Sequence, residues 1–138
     1  MAKRDGGLIE EALSSSVIGA FYDVYNNLGY GFLEHVYSLA MERELLARGH
    51  KVQRELAVLV WYKGQELTWQ RLDMVVDDKL VIEIKSTRDL GEAAPRQLFS
   101  YLRSTNLEVG LLLHFGPKAR FFRTVASNAN KESLRKTR

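Results

Sequence analysis

The chain contains no cysteine, which excludes disulfides, thiolate zinc sites and cysteine nucleophiles at once. It has two prolines, Pro95 and Pro117, so few points in the sequence forbid regular structure. No apolar run approaches the roughly 20 residues that a membrane-spanning helix needs, and the first residues, Met1-Ala-Lys-Arg-Asp-Gly-Gly, lack the apolar core of a signal peptide. The expected location is therefore cytoplasmic. The three histidines, His35, His50 and His114, show no spacing of a zinc site, and they read as structural or surface residues. Ser14-Ser15-Ser16 falls inside a helical pattern without a nucleophile elbow, and Gly29-Tyr-Gly31 lacks the rest of a dinucleotide fingerprint.

Charge of one sign is also scarce. The formal net charge is +3, and residues 127–138, with Lys131, Arg135, Lys136 and Arg138 against Glu132, carry that whole excess. The rest is near neutral, so charge alone points weakly to a polyanionic partner. With 138 residues, 46% of them hydrophobic, the chain is expected to form one domain over residues 1–126, followed by a flexible basic tail, 127–138.

Periodicity gives the elements. A helix is predicted from about Leu8 to Asn27, closed by Gly29, and a second from about Gly31 to Arg48, closed by Gly49. Strands follow at 52–62, 66–76 and 80–86. Pro95 opens a helix to about Thr105, and strands at 109–115 and 120–125 flank Gly116-Pro117. The order α-α-β-β-β-α-β-β predicts an α/β (α+β) domain whose mixed sheet is flanked by helices.

The segment Arg71-Leu-Asp-Met-Val-Val-Asp-Asp-Lys-Leu-Val-Ile-Glu-Ile-Lys85 stands out. Glu83 and Lys85, two apart on a strand, project from one face. A three-residue loop centred on Asp78 pairs Met74 with Ile82 and Val76 with Leu80. It also sets Asp73 opposite Glu83 and Leu72 opposite Ile84, giving one apolar face and one charged face. Carboxylates whose β-carbons are about 4.5–5.5 Å apart repel unless a cation lies between them, and a divalent metal beside Lys85 would serve. The competing reading is a charged surface strand, which the apolar flanks argue against.

Two helices carry further candidates. Glu34, Tyr37 and Met41 lie on one helical line, where Glu34 is either a site residue at the rim of the core or an acidic residue favoured by the helix dipole. Gln97 and Tyr101 share a face of the later helix, either beside the site or as a solvated residue and a core-rim residue. Trp61, Tyr62 and Trp69 cluster around a turn and suit base stacking, an exposed sheet edge or a dimer surface.

Together these residues resemble the GxxExxY proteins of the PD-(D/E)XK nuclease superfamily, over about Ser16 to Val125. Gly31, Glu34 and Tyr37 match the GxxExxY signature, Asp73 the superfamily's Asp, and Glu83-Ile84-Lys85 its (D/E)-x-K. Gln97-Leu-Phe-Ser-Tyr101 is similar to the Q-h-x-x-Y element of the RecB-like branch, and Leu72 replaces the usual Pro. The resemblance implies a restriction-endonuclease-like fold and a metal-dependent nuclease acting on DNA. It implies Mg²⁺ or Mn²⁺ held by Glu34, Asp73, Glu83 and the Ile84 carbonyl, with Lys85, Gln97 and Tyr101 completing the catalytic set. Arg88, Arg96 and Arg103 are candidates for flanking phosphates or for a solvated helix face. The alternative is a non-catalytic module on the same fold that binds nucleic acid or protein. A homodimer is expected if both strands of a duplex are cut.

Overall fold

A computed structural model describes residues 3–4 and 7–131. Two two-residue strands, β1 (Lys3–Arg4) and β2 (Gly7–Leu8), pair with each other and precede the main body. Then come helices α1 (Glu11–Leu28) and α2 (Glu34–Ala47) and strands β3 (Val52–Tyr62), β4 (Gln65–Val76) and β5 (Leu80–Lys85). Helix α3 (Ala93–Arg103) and strands β6 (Val109–Phe115) and β7 (Ala119–Val125) complete the body, and a short 3-10 turn follows at Asn128–Asn130. The five long strands form one sheet in sequence order. All its neighbours are antiparallel except β5 and β6, which the crossover through α3 makes parallel.

The predicted mixed α+β architecture is the observed one, with small shifts at helix starts. Helix α1 begins at Glu11 because Glu10 takes a left-handed conformation, φ 52°. Helix α2 begins at Glu34 because Gly31, at φ 121°, breaks the helical path before it. Gly29 ends α1 with its N–H on the Tyr25 carbonyl, and Gly49 follows α2 at φ 88°, both as predicted.

Helices cover both faces of the sheet. Phe21, Val17 and Val24 of α1 and Tyr37, Met41 and Leu45 of α2 pack on one face against Met74, Ile82, Ile84 and Leu113. On the other face Leu98, Tyr101 and Leu102 of α3 pack against Leu72, Val81 and Leu112. Helix α3 lies close because Gly110 of β6 has no side chain: a β-carbon there would stand 2.7 Å from Leu98 Cδ1.

A polar chain ties the end of the sheet remote from Lys85 to the helices. Ser16 Oγ lies 2.7 Å from His50 Nε2, and His50 Nδ1 lies 2.7 Å from Asp77 Oδ2, so α1, the α2–β3 junction and the β4–β5 turn are linked. Burial works upward on the Asp77 pKa, but the Lys51 N–H, the His50 bond and charge, and Lys79 outweigh it, and the net shift is downward. The three residues mimic a hydrolytic triad, yet Ser16 sits inside α1, where the helix ladder occupies the backbone N–H groups that an oxyanion would need. The chain of bonds is a fastener.

Of the expected tail, residues 132–138 lie outside the described residues. Lys131 is buried and donates to the Thr105 and Leu107 carbonyls at 2.9 and 2.6 Å, anchoring the segment below α3.

Two stability outcomes follow from this packing. Gly110→Ala should cost about 1–3 kcal/mol by forcing Leu98 off its seat. Asp77→Ala should cost a similar amount by stripping charge-assisted bonds from Lys51 and His50. The Asp77 contribution is full above its unfolded pKa near 3.8 and is lost as pH falls through the lower folded value, so the deficit of Asp77→Ala in thermal melts should shrink in acid. Unchanged melting of either variant at neutral pH counts against these roles.

Candidate active site

The predicted β4–β5 register is present where the ladder exists: Met74 faces Ile82, Val75 faces Val81 and Val76 faces Leu80. The loop is Asp77-Asp78-Lys79, with both aspartates at positive φ. Beyond Met74 the expectation fails, since the ladder stops there. Leu72 packs on the α3 side while Ile84 packs on the side of α1 and α2, so they do not share the single apolar face that an unbroken hairpin would give.

The cause lies one strand further out. In β3 the pairing runs Arg54↔Met74 and then Leu56↔Leu72, skipping Glu55 and Asp73, and Glu55 sits at φ 54°. Both strands turn over at this point. Val52 and Met74 pack on the α1–α2 side, Leu56, Val58 and Leu72 on the α3 side. Asp73 thus stands at the turnover, and its Oδ2 accepts the Ile84 N–H at 2.8 Å in place of a β4 carbonyl. The strands fork, and the fork holds the charged groups.

Glu83 lies inside it, 3% exposed, with Oε2 lacking any hydrogen-bond partner. Burial pushes its pKa up to about 9, helped by the hydrogen bond with Asp73, by the Asp73 charge and by Glu34. Lys85 Nζ, 3.9 Å from Glu83 Oε1, pulls the other way. Tyr101, buried on α3, is pushed up to about 12 by burial and by the Glu83 and Asp73 charges, against a side-chain hydrogen bond from Gln97. The hydroxyl therefore stays protonated and available as a donor.

Glu34 heads α2 and is exposed, and it lines an open cavity of about 170 Å³ with Asp73, Ile84, Ser38, His35, Arg54 and Glu55. Its place is set by Tyr37, whose buried ring carries a hydroxyl that donates to the Gly29 carbonyl at 2.5 Å and accepts the Phe32 N–H at 3.2 Å. Ser86 Oγ donates to the Phe32 carbonyl, so the α1–α2 loop is bound to the end of β5. His114 Nε2, 2.7 Å from the Thr87 carbonyl, holds the next residue of that strand exit.

The structure thus gathers Asp73, Glu83, Lys85, Gln97 and Tyr101 around the fork, with Glu34 and Ile84 at the cavity beside it. Arg88 and Arg96 are exposed. Arg103 belongs elsewhere: it lies 5.9 Å from the Phe99 ring and lines a separate cavity with Lys131. Arg54, paired with Glu42 at 3.2 Å, and Glu55 border the first cavity and were not foreseen, because nothing in the pattern of β3 signals the left-handed residue that aims them there. Among the described residues, no three His, Cys, Asp or Glu side chains converge as a ready metal cluster. The donor set nevertheless fits a hard cation: the available groups are carboxyl and carbonyl oxygens, and the partnerless buried Glu83 Oε2 lies beside a second carboxylate.

A profile of the PD-(D/E)XK nuclease superfamily matches residues 11–124. The solved structure of SSO0001 superposes with a TM-score of 0.56 at 21% identity, covering 93% of this chain and 63% of that one, so the similarity is one of fold. The chain spans less than two thirds of SSO0001. No curated protein matches the sequence.

The Glu83 proton has a measurable consequence. An unfolded chain releases it near pH 4.5 and the folded chain keeps it to about 9, so between those values the native state binds more protons and stability falls as pH rises. Glu83→Gln, with no proton to lose, should melt above wild type in EDTA, with a gain growing from about pH 5 to about pH 8 and reaching about 1–3 kcal/mol. Parallel melting curves across that range would refute the buried acid.

Proposed function

We propose, for a chain that belongs to the PD-(D/E)XK nuclease superfamily, that it hydrolyses phosphodiester bonds of DNA with the help of Mg²⁺ or Mn²⁺. The observation that carries the reading is the fork itself: Asp73 next to a buried Glu83 carboxyl whose Oε2 has no hydrogen-bond partner, with Lys85 Nζ 3.9 Å from Glu83 Oε1. A structural core has no use for a carboxyl buried beside a second one, where burial first and the neighbouring carboxylate second raise it so far.

Asp73, Glu83, Glu34 and the Ile84 carbonyl would hold the cation, whose positive charge would take over the role of the Glu83 proton. When bound, such an ion polarises a phosphate and makes a water more acidic. Lys85 supplies an ammonium to orient the attacking water and to offset negative charge in the transition state. Tyr101, kept protonated, and the Gln97 amide donate hydrogen bonds from the facing helix to phosphate oxygens. Arg88 and Arg96, both exposed, suit contacts to flanking phosphates, and Arg103 suits a more distant one. Gly31, Glu34, Tyr37, Gln97 and Tyr101 support a finer placement beside the GxxExxY proteins and the RecB-like branch. A DNA substrate agrees with a cytoplasmic site of action, and no helix among the described residues is long and apolar enough to cross a membrane.

Asp73→Asn retains an acceptor for the Ile84 N–H and is preferable to alanine as a test, because alanine would also strand that donor. Asp73→Asn and Lys85→Met should each lower Mn²⁺-dependent cleavage of linear and single-stranded DNA by about 10³-fold or more while melting stays near wild type. Calorimetric titration should show Mn²⁺ binding that Glu83→Gln removes. Equal cleavage by wild type and Asp73→Asn, or no metal binding at millimolar concentration, would favour a non-catalytic module instead.

A further inference from the structure

Strand β3 ends the sheet on its side, and among the described residues no strand lies beyond it. From Leu56 to Tyr62 it reads Leu-Ala-Val-Leu-Val-Trp-Tyr, with no charge and no proline to blunt the edge. Trp61 is 38% and Tyr62 58% exposed, and Trp69 of β4, facing Leu59, is 64% exposed. The stretch is bracketed by charges of opposite sign, Glu55 and Lys63.

That bracketing makes the edge complementary to itself. An antiparallel pairing with a second copy about a twofold axis at Leu59 sets Val58 against Val60, Ala57 against Trp61 and Leu56 against Tyr62, and brings together the side chains of Glu55 and Lys63, the left-handed residues that close this stretch at its two ends. Small then faces large, and acid faces base, twice over. An axis one residue earlier puts Glu55 against Trp61, and one residue later puts Lys63 against Ala57; both lose the ion pairs and set a charge on an apolar side chain. The charges are free to regroup. Glu55 reaches Arg71 at only 4.0 Å with both side chains more than 60% exposed, and Lys63 lies 5.3 Å over the Tyr62 ring.

We propose that β3 pairs with β3 of a second copy in this register, forming a continuous ten-stranded sheet across a twofold axis. The pairing reaches the candidate active site, because Glu55 and its neighbour Arg54 line the cavity with Glu34 and Asp73. The partner's Lys63 neutralises Glu55 at that mouth and replaces a carboxylate that repels phosphate with an ion pair. This consequence rests on the nuclease reading, while the pairing itself does not.

Sedimentation and light scattering of the full chain test it. Wild type should run at twice the 15.8 kDa chain mass. Glu55→Lys and Lys63→Glu should each weaken the dimer roughly tenfold or more, since each puts like charges opposite one another at two symmetric places, and the double variant should recover it. Leu59→Lys, which sets two ammonium groups side by side on the axis, should give a monomer with wild-type circular dichroism. Monomeric wild type at high concentration, or a double variant no better than the single ones, overturns the pairing. A monomer that still cleaves DNA would overturn it and leave the nuclease reading standing, whereas a dimer that cleaves nothing would do the reverse.

Discussion

Asp73 accepts the Ile84 N–H that an unbroken hairpin would have given to a backbone carbonyl of β4. A buried N–H must have a partner, so a carboxylate that fills this role is fixed in place by the sheet's own need for hydrogen bonds. The same bond lets β4 leave β5 without leaving a donor stranded. Turnover of the two outer strands, separation of the ladders and opening of the fork all require an acceptor at this position. Asparagine could serve as acceptor, but it would not bring the negative charge.

Glu83 shows what the fork costs. Its carboxyl is buried against a second carboxylate, with one oxygen lacking a partner, an arrangement that lowers stability at neutral pH. The surrounding core keeps it there. Leu112, aligned with Glu83 across the parallel β5–β6 ladder, and Ile82 and Ile84 on either side are fully or almost fully buried, so the strand has no slack with which to expel the side chain. Rigid apolar packing of β5 is thus what holds an unfavourable charge arrangement in the fork.

Most of the fold was legible in the sequence because it rests on local signals. The loose alternation in 52–62, the apolar run of 109–115, the helical stripe of α1, and Gly29 and Gly49 at helix ends each act through nearest neighbours. Part of the site was legible for the same reason: Glu83 and Lys85 share a strand face, and Gln97 and Tyr101 share a helix face. The turnover at Glu55 and Asp73 was not legible. Glutamate has no preference for a left-handed backbone, and the irregularity exists only because two strands distort together. The Leu72–Ile84 pairing was mispredicted on that account, as the pattern of period two carries no sign of a place where both strands change face. Nor could sequence join Ser16, His50 and Asp77, which stand 34 and 27 positions apart.

Glu34 resolves differently from its two sequence readings, because they are not exclusive. Helix α2 has no side-chain cap, and Glu34 occupies its first turn, where the free N–H groups favour a negative charge. The position of that turn is set from elsewhere, through the Tyr37 hydroxyl on Gly29 and Phe32 and through Ser86 on the Phe32 carbonyl. A carboxylate that only served the helix would need no such tie to the exit of β5. The tie makes the spacing from Gly31 to Tyr37 intelligible: glycine turns the chain, tyrosine clamps the turn, and the glutamate between them is delivered to the cavity that Asp73 also lines.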